Sequence, residues 1–279
     1  MLWVPQKGVL RVQHNIAAVS ADLVGTSVTT GATSSTKGTP AEIFASTSFD
    51  AYWIVIMAGR YANAATASDC CVDLLAGAAA EEVIIPNLLA GEAYGGVGAA
   101  ACGYKQWAFP LYIPAGTRIA AQAAGLRTST IIDIIVCLYG GHGYPPFRVG
   151  GNVTTYGIGT VPAGTTVTPG ASGAEGAWAE IVASTTRDHF AVIPSFQLND
   201  STMNLRRLVM DLGLGAAAAE EPIGGSYVFK TDGTETMEGP WPAMPCFQDI
   251  PSGTRLAVRA SNNGTNDNGT YNVALHCMS

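Results

Sequence analysis

IPAGTRIAAQA, at residues 113–123, and IPSGTRLAVRA, at residues 250–260, are two versions of one phrase. In each version a proline presets the backbone of a β-turn, and the glycine two residues later suits the last position of that turn. After the turn, apolar side chains occupy every second position, and in the second version Arg255 and Arg259 fall on the opposite face. A period of two with one polar face is typical of a half-buried antiparallel strand. The phrase therefore predicts the same turn and strand twice.

Two other phrases recur in the same order. AEIFAST begins at Ala41 and AEIVAST at Ala179, while DLLAGAAAEE begins at Asp73 and DLGLGAAAAEE at Asp211. The distance between the two versions of each phrase is 137 or 138 residues, and insertions in loops explain so small a drift. This self-similarity predicts an internal duplication.

The duplication divides the chain into four parts. We predict an N-terminal arm at 1–24, a first copy at 25–140, a linker rich in Gly and Pro at 141–158, and a second copy at 159–279. Each copy has the usual size of one domain. No segment keeps a helical period, whereas short strand-like runs alternate with Gly, Pro and Thr turns. The predicted fold is all-β, with two tandem antiparallel β-sandwiches of jelly-roll-like form.

The longest apolar runs are the best candidates for strands, at 51–58, 131–139, 189–198, 205–214 and 271–278. Residues 131–139 are apolar on both faces, which indicates a central strand. Aligning Cys137 with Cys277 places Asp133 opposite Val273. A carboxylate and a valine do not share a role, so this alignment leaves open a shift of one residue.

The charge content limits the function classes. Charged residues make up 13% of the chain and the net charge is −7, which argues against a nucleic-acid-binding protein. A soluble chain with so few charges has a large neutral surface. Only four residues are lysine, and interfaces favour arginine over lysine. A β protein rich in Gly, Ala and Thr would also have such a surface, but a surface that faces other subunits explains the low lysine count as well. No run is long and apolar enough for a transmembrane helix, and the N-terminus does not resemble a signal peptide.

A search for chemical motifs predicts no catalytic residue, no cofactor and no metal site. The four histidines lack ligand spacing, no phosphate-binding loop is present, and the six cysteines are expected to be buried free thiols. Glu81 and Glu82 are adjacent, so on a strand they point to opposite faces and do not suit glycoside hydrolysis. We expect the repeated glutamates either to be solvated or to meet Arg118 or Arg255.

The motif set D-L-x-x-G-A-A-A-x-E, V-I-I-P-N-L-L-A-G and I-P-A-G-T-R resembles that of small β-sandwich virion proteins of tailed bacteriophages. The resemblance covers most of the first copy. The second copy departs from it, because Pro222 interrupts the apolar run and the I-P-N-L-L phrase is absent. The resemblance implies a virion structural protein, and in particular a capsid decoration or head-attached protein.

The expected function is therefore non-enzymatic, in a homo-oligomer that contacts other virion proteins and neither nucleic acid nor membrane. Leu2, Trp3 and Val4 at the tip of the arm, together with Arg118 and Arg255, are the candidate partner-interface residues. The alternative is a tail, baseplate or fibre adhesin that binds a carbohydrate or a receptor. Its signature would be loop aromatics at one end of the molecule, drawn from Tyr52, Trp53, Trp107, Trp178 and Trp241.

Overall fold

The computed structural model describes residues 10–19, 22–62, 69–78, 81–91, 105–141, 148–170, 173–198, 206–231, 237–238, 243–263 and 270–279. Within these residues every regular element is a β-strand and none is a helix. The predicted all-β class is confirmed. It follows that no helix in the described part of the chain could cross a membrane.

Eleven strands precede residue 141. They are β1 (Arg11–His14), β2 (Ala17–Val19), β3 (Asp22–Val24), β4 (Thr26–Thr29), β5 (Ala41–Phe44), β6 (Ala51–Ala62), β7 (Cys70–Ala76), β8 (Glu82–Leu89), β9 (Lys105–Phe109), β10 (Ile119–Gly125) and β11 (Ile131–Gly140). Sheet I has the order β1-β11-β6-β9, with β4 also paired to β11. Sheet II has the order β5-β10-β7-β8, and β2 pairs with β3 in a separate ribbon.

Ten strands follow. They are β12 (Val153–Tyr156), β13 (Thr165–Val167), β14 (Ala179–Val182), β15 (His189–Leu198), β16 (Arg206–Leu214), β17 (Glu221–Thr231), β18 (Met237–Glu238), β19 (Cys246–Ile250), β20 (Leu256–Asn262) and β21 (Tyr271–Met278). Sheet III has the order β12-β21-β15-β19, with β13 also on β21, and sheet IV has the order β14-β20-β16-β17-β18. The order of the main strands of sheets I and II thus recurs in sheets III and IV, while β18 has no counterpart among the described strands of sheet II. The tandem duplication itself stays a prediction from sequence.

Two apolar cores lie between the sheets. One joins sheet I side chains such as Ile54 and Ile134 to sheet II side chains such as Leu74 and Ile119. The other joins sheets III and IV in the same way, and includes the alternate positions of β20 that the turn phrase predicted, Leu256, Val258 and Ala260. The chain therefore forms two layered pairs of sheets, and β11 is central in its sheet as expected.

The repeated turn is held by the same bonds in both halves. The Thr47 hydroxyl donates to the Pro114 carbonyl at 2.7 Å, and the Thr185 hydroxyl donates to the Pro251 carbonyl at 2.9 Å. Both threonines end the repeated AEIxAST phrase, so two of the repeated phrases recur together because they contact each other. In the middle of the alanine-containing phrase, directly after β7 and β16, Gly77 and Gly215 turn the chain with positive φ angles of 112° and 113°, which glycine adopts without strain.

Three details differ from the sequence reading. β1 lies in the predicted arm and pairs with β11, and β12 lies in the predicted linker and pairs with β21. A strand of only four residues forms at each of these edges because the long neighbouring strand has free backbone donors and acceptors there. The third detail is register: Cys277 faces the second core, whereas the core positions of β11 are Val136 and Leu138. Cys137 therefore corresponds to His276, and the open shift of one residue is real.

Candidate interaction surfaces

Arg118 and Arg255 each join two glutamates from the other repeated phrases. Arg118 contacts Glu42 through Nε at 2.8 Å and Glu81 through Nη1. Arg255 does the same in the second half, where Nε lies 2.7 Å from Glu180 and Nη1 lies 2.6 Å from Glu220. Of the two readings that the sequence left open for the repeated glutamates, the contact with arginine is the one found for these two.

The ion pairs explain why the three phrases recur together. Burial opposes ionisation of Glu220, but backbone hydrogen bonds and the Arg255 guanidinium outweigh it, so the pKa of Glu220 is lowered. Hydrogen bonds to Glu180 and Glu220 raise the pKa of Arg255. Arg118 and Arg255, predicted to contact a partner, thus make their strongest contacts within the chain, and their role at an interface stays a prediction.

Replacing Arg255 by methionine should lower the melting temperature by about 5 °C, because Glu220 would keep its charge with only 3% of its side chain exposed and no guanidinium beside it. Differential scanning calorimetry measures the change. Arg187→Met is the matched control, since Arg187 is exposed in the same half. Equal melting temperatures for the two variants would contradict the proposed importance of the ion pair.

The two halves meet along a buried polar seam. Ser195 and His276 lie on neighbouring strands of sheet III, with Oγ and Nε2 2.7 Å apart. The Leu89 amide of the first half donates to Ser195 Oγ at 3.1 Å. On the other side of the ring, Thr155 Oγ1 lies 2.8 Å from His276 Nδ1 and donates to the Pro86 carbonyl at 2.6 Å. The seam thus joins sheet III to β8 by a continuous set of hydrogen bonds.

The hydrogen bonds of this seam determine which ring nitrogen of His276 carries the proton. The Thr155 hydroxyl donates its only proton to the Pro86 carbonyl, so Thr155 Oγ1 accepts a hydrogen bond from Nδ1–H of the His276 ring. Nε2 then accepts from Ser195. Burial lowers the pKa of His276 to about 3, which keeps the imidazole neutral. Ser195 and His276 have the spacing of a nucleophile and its base, but neither exposes any surface. In this structure the pair joins the halves and does not open to a substrate.

Lys105 lies beside the same seam and is almost fully buried. Its Nζ donates to the Phe196 carbonyl of the second half at 3.2 Å and contacts the Gly91 carbonyl of the first. Burial raises the pKa of Asp69 to about 6, against the opposing charge of Lys105. The lysine therefore bonds both halves. Across the residues that the structure describes, no three His, Cys, Asp or Glu side chains gather as a metal site.

The outer face of sheet I, which points away from the core, carries apolar and polar side chains. Strand register places the apolar ones in neighbouring rows: Val12 beside Tyr139 and Trp53, Cys137 beside Val55, and Ile135 beside Met57. Polar side chains border these rows, because His14 pairs with Cys137, Gln106 pairs with Met57, and Asp133 accepts a hydrogen bond from Ser27. Antiparallel sheets that face water on one side carry mainly polar residues there. The apolar part of this face is instead suited to contact with another protein surface.

A second apolar region lies on the side of the second half between β17 and β19. Val228, Met244 and Phe247 are each about half exposed, at 47%, 50% and 53%. The Tyr227 hydroxyl donates to the Met244 carbonyl at 2.8 Å and fixes the segment before β19. We call this region the β17–β19 side.

Other predicted site residues have different fates. Leu2, Trp3 and Val4 lie outside the described residues, as does Trp241. Trp107 is buried in the core, and Trp178 lies under the Arg259 guanidinium, 4.5 Å from its ring. The five candidate aromatics therefore do not form one loop cluster among the described residues. Sequence reasoning missed the Ser195–His276 pair, although the alternation of β15 and β21 places both side chains on the face opposite the core.

The described cysteines agree with the expectation of free thiols. Cys70, Cys71, Cys137 and Cys277 are buried and unbridged, and Cys246 is free and half-buried. Burial raises the pKa of Cys70 and Cys277, which disfavours the reactive thiolate.

Comparison with known proteins gives only distant likenesses. No family model and no curated protein matches the chain. A structure of PNGF-II is 7% identical with a TM-score of 0.36, and the match covers 98% of this chain and 65% of that one. PNGase F, a glycosylasparaginase from Flavobacterium meningosepticum, is 9% identical with a TM-score of 0.30, covering 98% and 96%. A structure of infectious bursal disease virus, Gx strain, is 12% identical with a TM-score of 0.23, and the match covers 98% of this chain and 72% of that one. Such scores carry no inference about function.

Proposed function

We propose that this chain is a non-enzymatic structural protein that works as a subunit of a larger protein assembly. The observation that carries the proposal is the apolar part of the outer face of sheet I, on which Val12, Val55 and Met57 lie in neighbouring rows. The charge content supports it, because only 13% of the residues are charged. The buried position of Ser195 and His276 also favours a structural role, since the pair would need access to a substrate for catalysis.

The finer proposal is a protein of the tailed-bacteriophage virion, attached to the capsid as a decoration or head protein. It is supported by the resemblance of the repeated motifs and by the neutral surface. An all-β chain with two apolar regions suits a repeating protein lattice, in which each subunit needs more than one contact. In that setting the partners are other virion proteins and further copies of this chain.

Fractionation of particles tests the proposal. We expect the protein to co-sediment with intact particles on a density gradient, in a fixed copy number by quantitative mass spectrometry. Hundreds of copies would identify a capsid component, and a few to a few dozen would identify the neck, tail or fibre. Absence from particles that are otherwise complete would contradict the virion role.

A carbohydrate-binding adhesin of the tail or fibre is the second candidate. The observation that favours it is a stacked pair, Tyr52 and Tyr112, whose ring centres are 5.4 Å apart. Tyr112 is 40% exposed, and exposed aromatic faces are a common platform for sugars. Binding to a glycan array that is lost in Tyr112→Ala would favour this candidate over the capsid role.

A further inference from the structure

The two halves contact each other where the outer face of a sheet in the second half packs onto one side of the first half. The face is the outer face of sheet III, where Ile193, Ala274 and Met278 are fully buried. The side is the gap between β8 and β9 of the first half, where Leu89, Trp107 and Phe109 lie. Leu89 packs with Ala274, and Trp107 shares a cluster with Ile193 and Met278. The central strands of sheet III, β15 and β21, are therefore buried on both faces.

Strand register shows which residues hold the same place in the two halves. Leu89 pairs with Cys71 in sheet II, and Val228 pairs with Val209 in sheet IV, 138 residues after Cys71. In the same way Phe109 pairs with Ile54, and Cys246 with Val192. Val228 thus corresponds to Leu89.

The same reasoning extends to the neighbouring positions. Met244, two residues before Cys246, corresponds to Trp107. On the opposite surface, Val12 pairs with Tyr139 and Val153 pairs with Met278, so Val12 corresponds to Val153. Val55 pairs with Cys137, and Ile193 pairs with His276. Because Cys137 and His276 hold the same place in β11 and β21, Val55 corresponds to Ile193.

The corresponding residues differ sharply in exposure. Leu89 and Trp107 are 0% and 2% exposed, whereas Val228 and Met244 are 47% and 50% exposed. Val153 is 9% exposed and Val12 is 48% exposed. In each half one of these two surfaces is covered inside the chain and the other carries exposed side chains, although Ile135 and Cys137 on the face of sheet I are only 5% exposed. The open face is on sheet I and the open side is the β17–β19 side.

The two open surfaces are complementary in kind. Inside the chain, a face of sheet III covers the β8–β9 side. The open face of sheet I is formed by β1, β11 and β6, in the places that β12, β21 and β15 hold in sheet III. β17 and β19 hold the places of β8 and β9, although β18 also pairs with β17 and Ala243 pairs with Trp107 of the first half. The residues at the centre of the two open surfaces are uncharged, Val12, Val55 and Met57 on one and Val228 and Met244 on the other, so their contact would bury apolar area.

We propose that copies of this chain associate head to tail, with the outer face of sheet I of one copy covering the β17–β19 side of the next. This inference rests on the proposed assembly function and names its partner as a second copy of the chain. The contact is heterologous, because two different surfaces meet. It leaves an open face at one end and an open side at the other, so growth continues into a ring or a filament.

Sedimentation velocity of the full chain tests this inference. The wild-type chain should form oligomers as its concentration rises. Val12→Glu and Val228→Glu should each weaken association by at least about tenfold, because a buried unpaired carboxylate is costly. Leu126→Glu is the control, since Leu126 is 50% exposed and lies outside both surfaces. All three positions are half exposed, so each variant is expected to fold, and its circular dichroism and melting temperature check this.

Mixing the two interface variants separates a head-to-tail contact from a symmetric one. Val12→Glu keeps its β17–β19 side and Val228→Glu keeps its sheet I face, so the mixture should form a one-to-one dimer and nothing larger. A mixture that stays monomeric or forms larger oligomers would overturn the inference, as would a wild-type chain that stays monomeric or variants that associate like Leu126→Glu. A monomeric chain that still co-sediments with particles would overturn this inference alone and leave the proposed function standing.

Discussion

Replacing His276 by asparagine should make the stability of this protein less sensitive to acid. The pKa of His276 is lowered to about 3 by burial, below its ordinary value of 6.5. A histidine with a lowered pKa contributes stability that is present above the ordinary pKa and is lost as the pH falls towards the folded one. Each pH unit between these two values costs about 1.4 kcal/mol, so the full effect over about 3.5 pH units is roughly 5 kcal/mol.

At neutral pH the same substitution should lower the stability of the protein. Asparagine reaches Thr155 but not Ser195, so the free energy of unfolding should fall by about 1–3 kcal/mol near pH 7. Urea unfolding at pH values between about 4 and 7 measures both effects. Asp69 acts in the opposite direction, because its raised pKa gives stability at low pH that is lost as the pH rises through about 6.

His14→Gln is the matched control for this experiment. His14 is exposed on β1, at the position that Thr155 holds in the second half. Because its side chain is exposed, its replacement should leave the stability at neutral pH unchanged. If His276→Asn kept the wild-type acid dependence, the neutral, fully bonded imidazole described for the seam would be wrong.

Replacing Trp107 by alanine should cost about 3–5 kcal/mol of unfolding free energy. Trp107 is 2% exposed and packs both in the first core and against residues of the second half. Its removal leaves a cavity at the point where the halves meet, and a few contacts from each half are lost together. Equilibrium unfolding in guanidinium chloride measures the loss.

The corresponding position in the second half supplies the control. Met244 is 50% exposed, so Met244→Ala should change the stability of the monomer by no more than about 0.5 kcal/mol. Similar losses for the two variants would contradict the difference in burial between the β8–β9 side and the β17–β19 side. The measurement is made at low protein concentration, where self-association does not add to stability.

Local pattern was enough to predict most strands. The alternation after each I-P-x-G-T-R turn gave the faces of β10 and β20, and the two-sided apolar run at 131–139 gave the central β11. Gly77 and Gly215 directly follow β7 and β16, with positive φ angles that other residues rarely adopt. These features depend on neighbours within a few residues, which a sequence displays directly.

The surfaces were not predictable in the same way. Arg118 and Arg255 looked like interface residues because arginine is common there, but their glutamate partners lie more than 30 residues away in sequence. Ser195 and His276 looked like ordinary polar positions on exposed faces. Their burial depends on how one half docks on the other, and that docking is decided by the summed packing of many distant residues.

The two-sided burial of the central strands of sheet III limits which residues they can carry. Val55 and Met57 lie on the open face of sheet I, whereas Ile193 and Ser195 hold the same places on the face of sheet III that the first half covers, with Val192 and Phe196 in the core behind them. Every side chain of these strands therefore meets a packed neighbour, and Ser195 supplies the acceptor for the Leu89 amide. A polar substitution on the open face of sheet I should therefore cost less stability than the same substitution on sheet III.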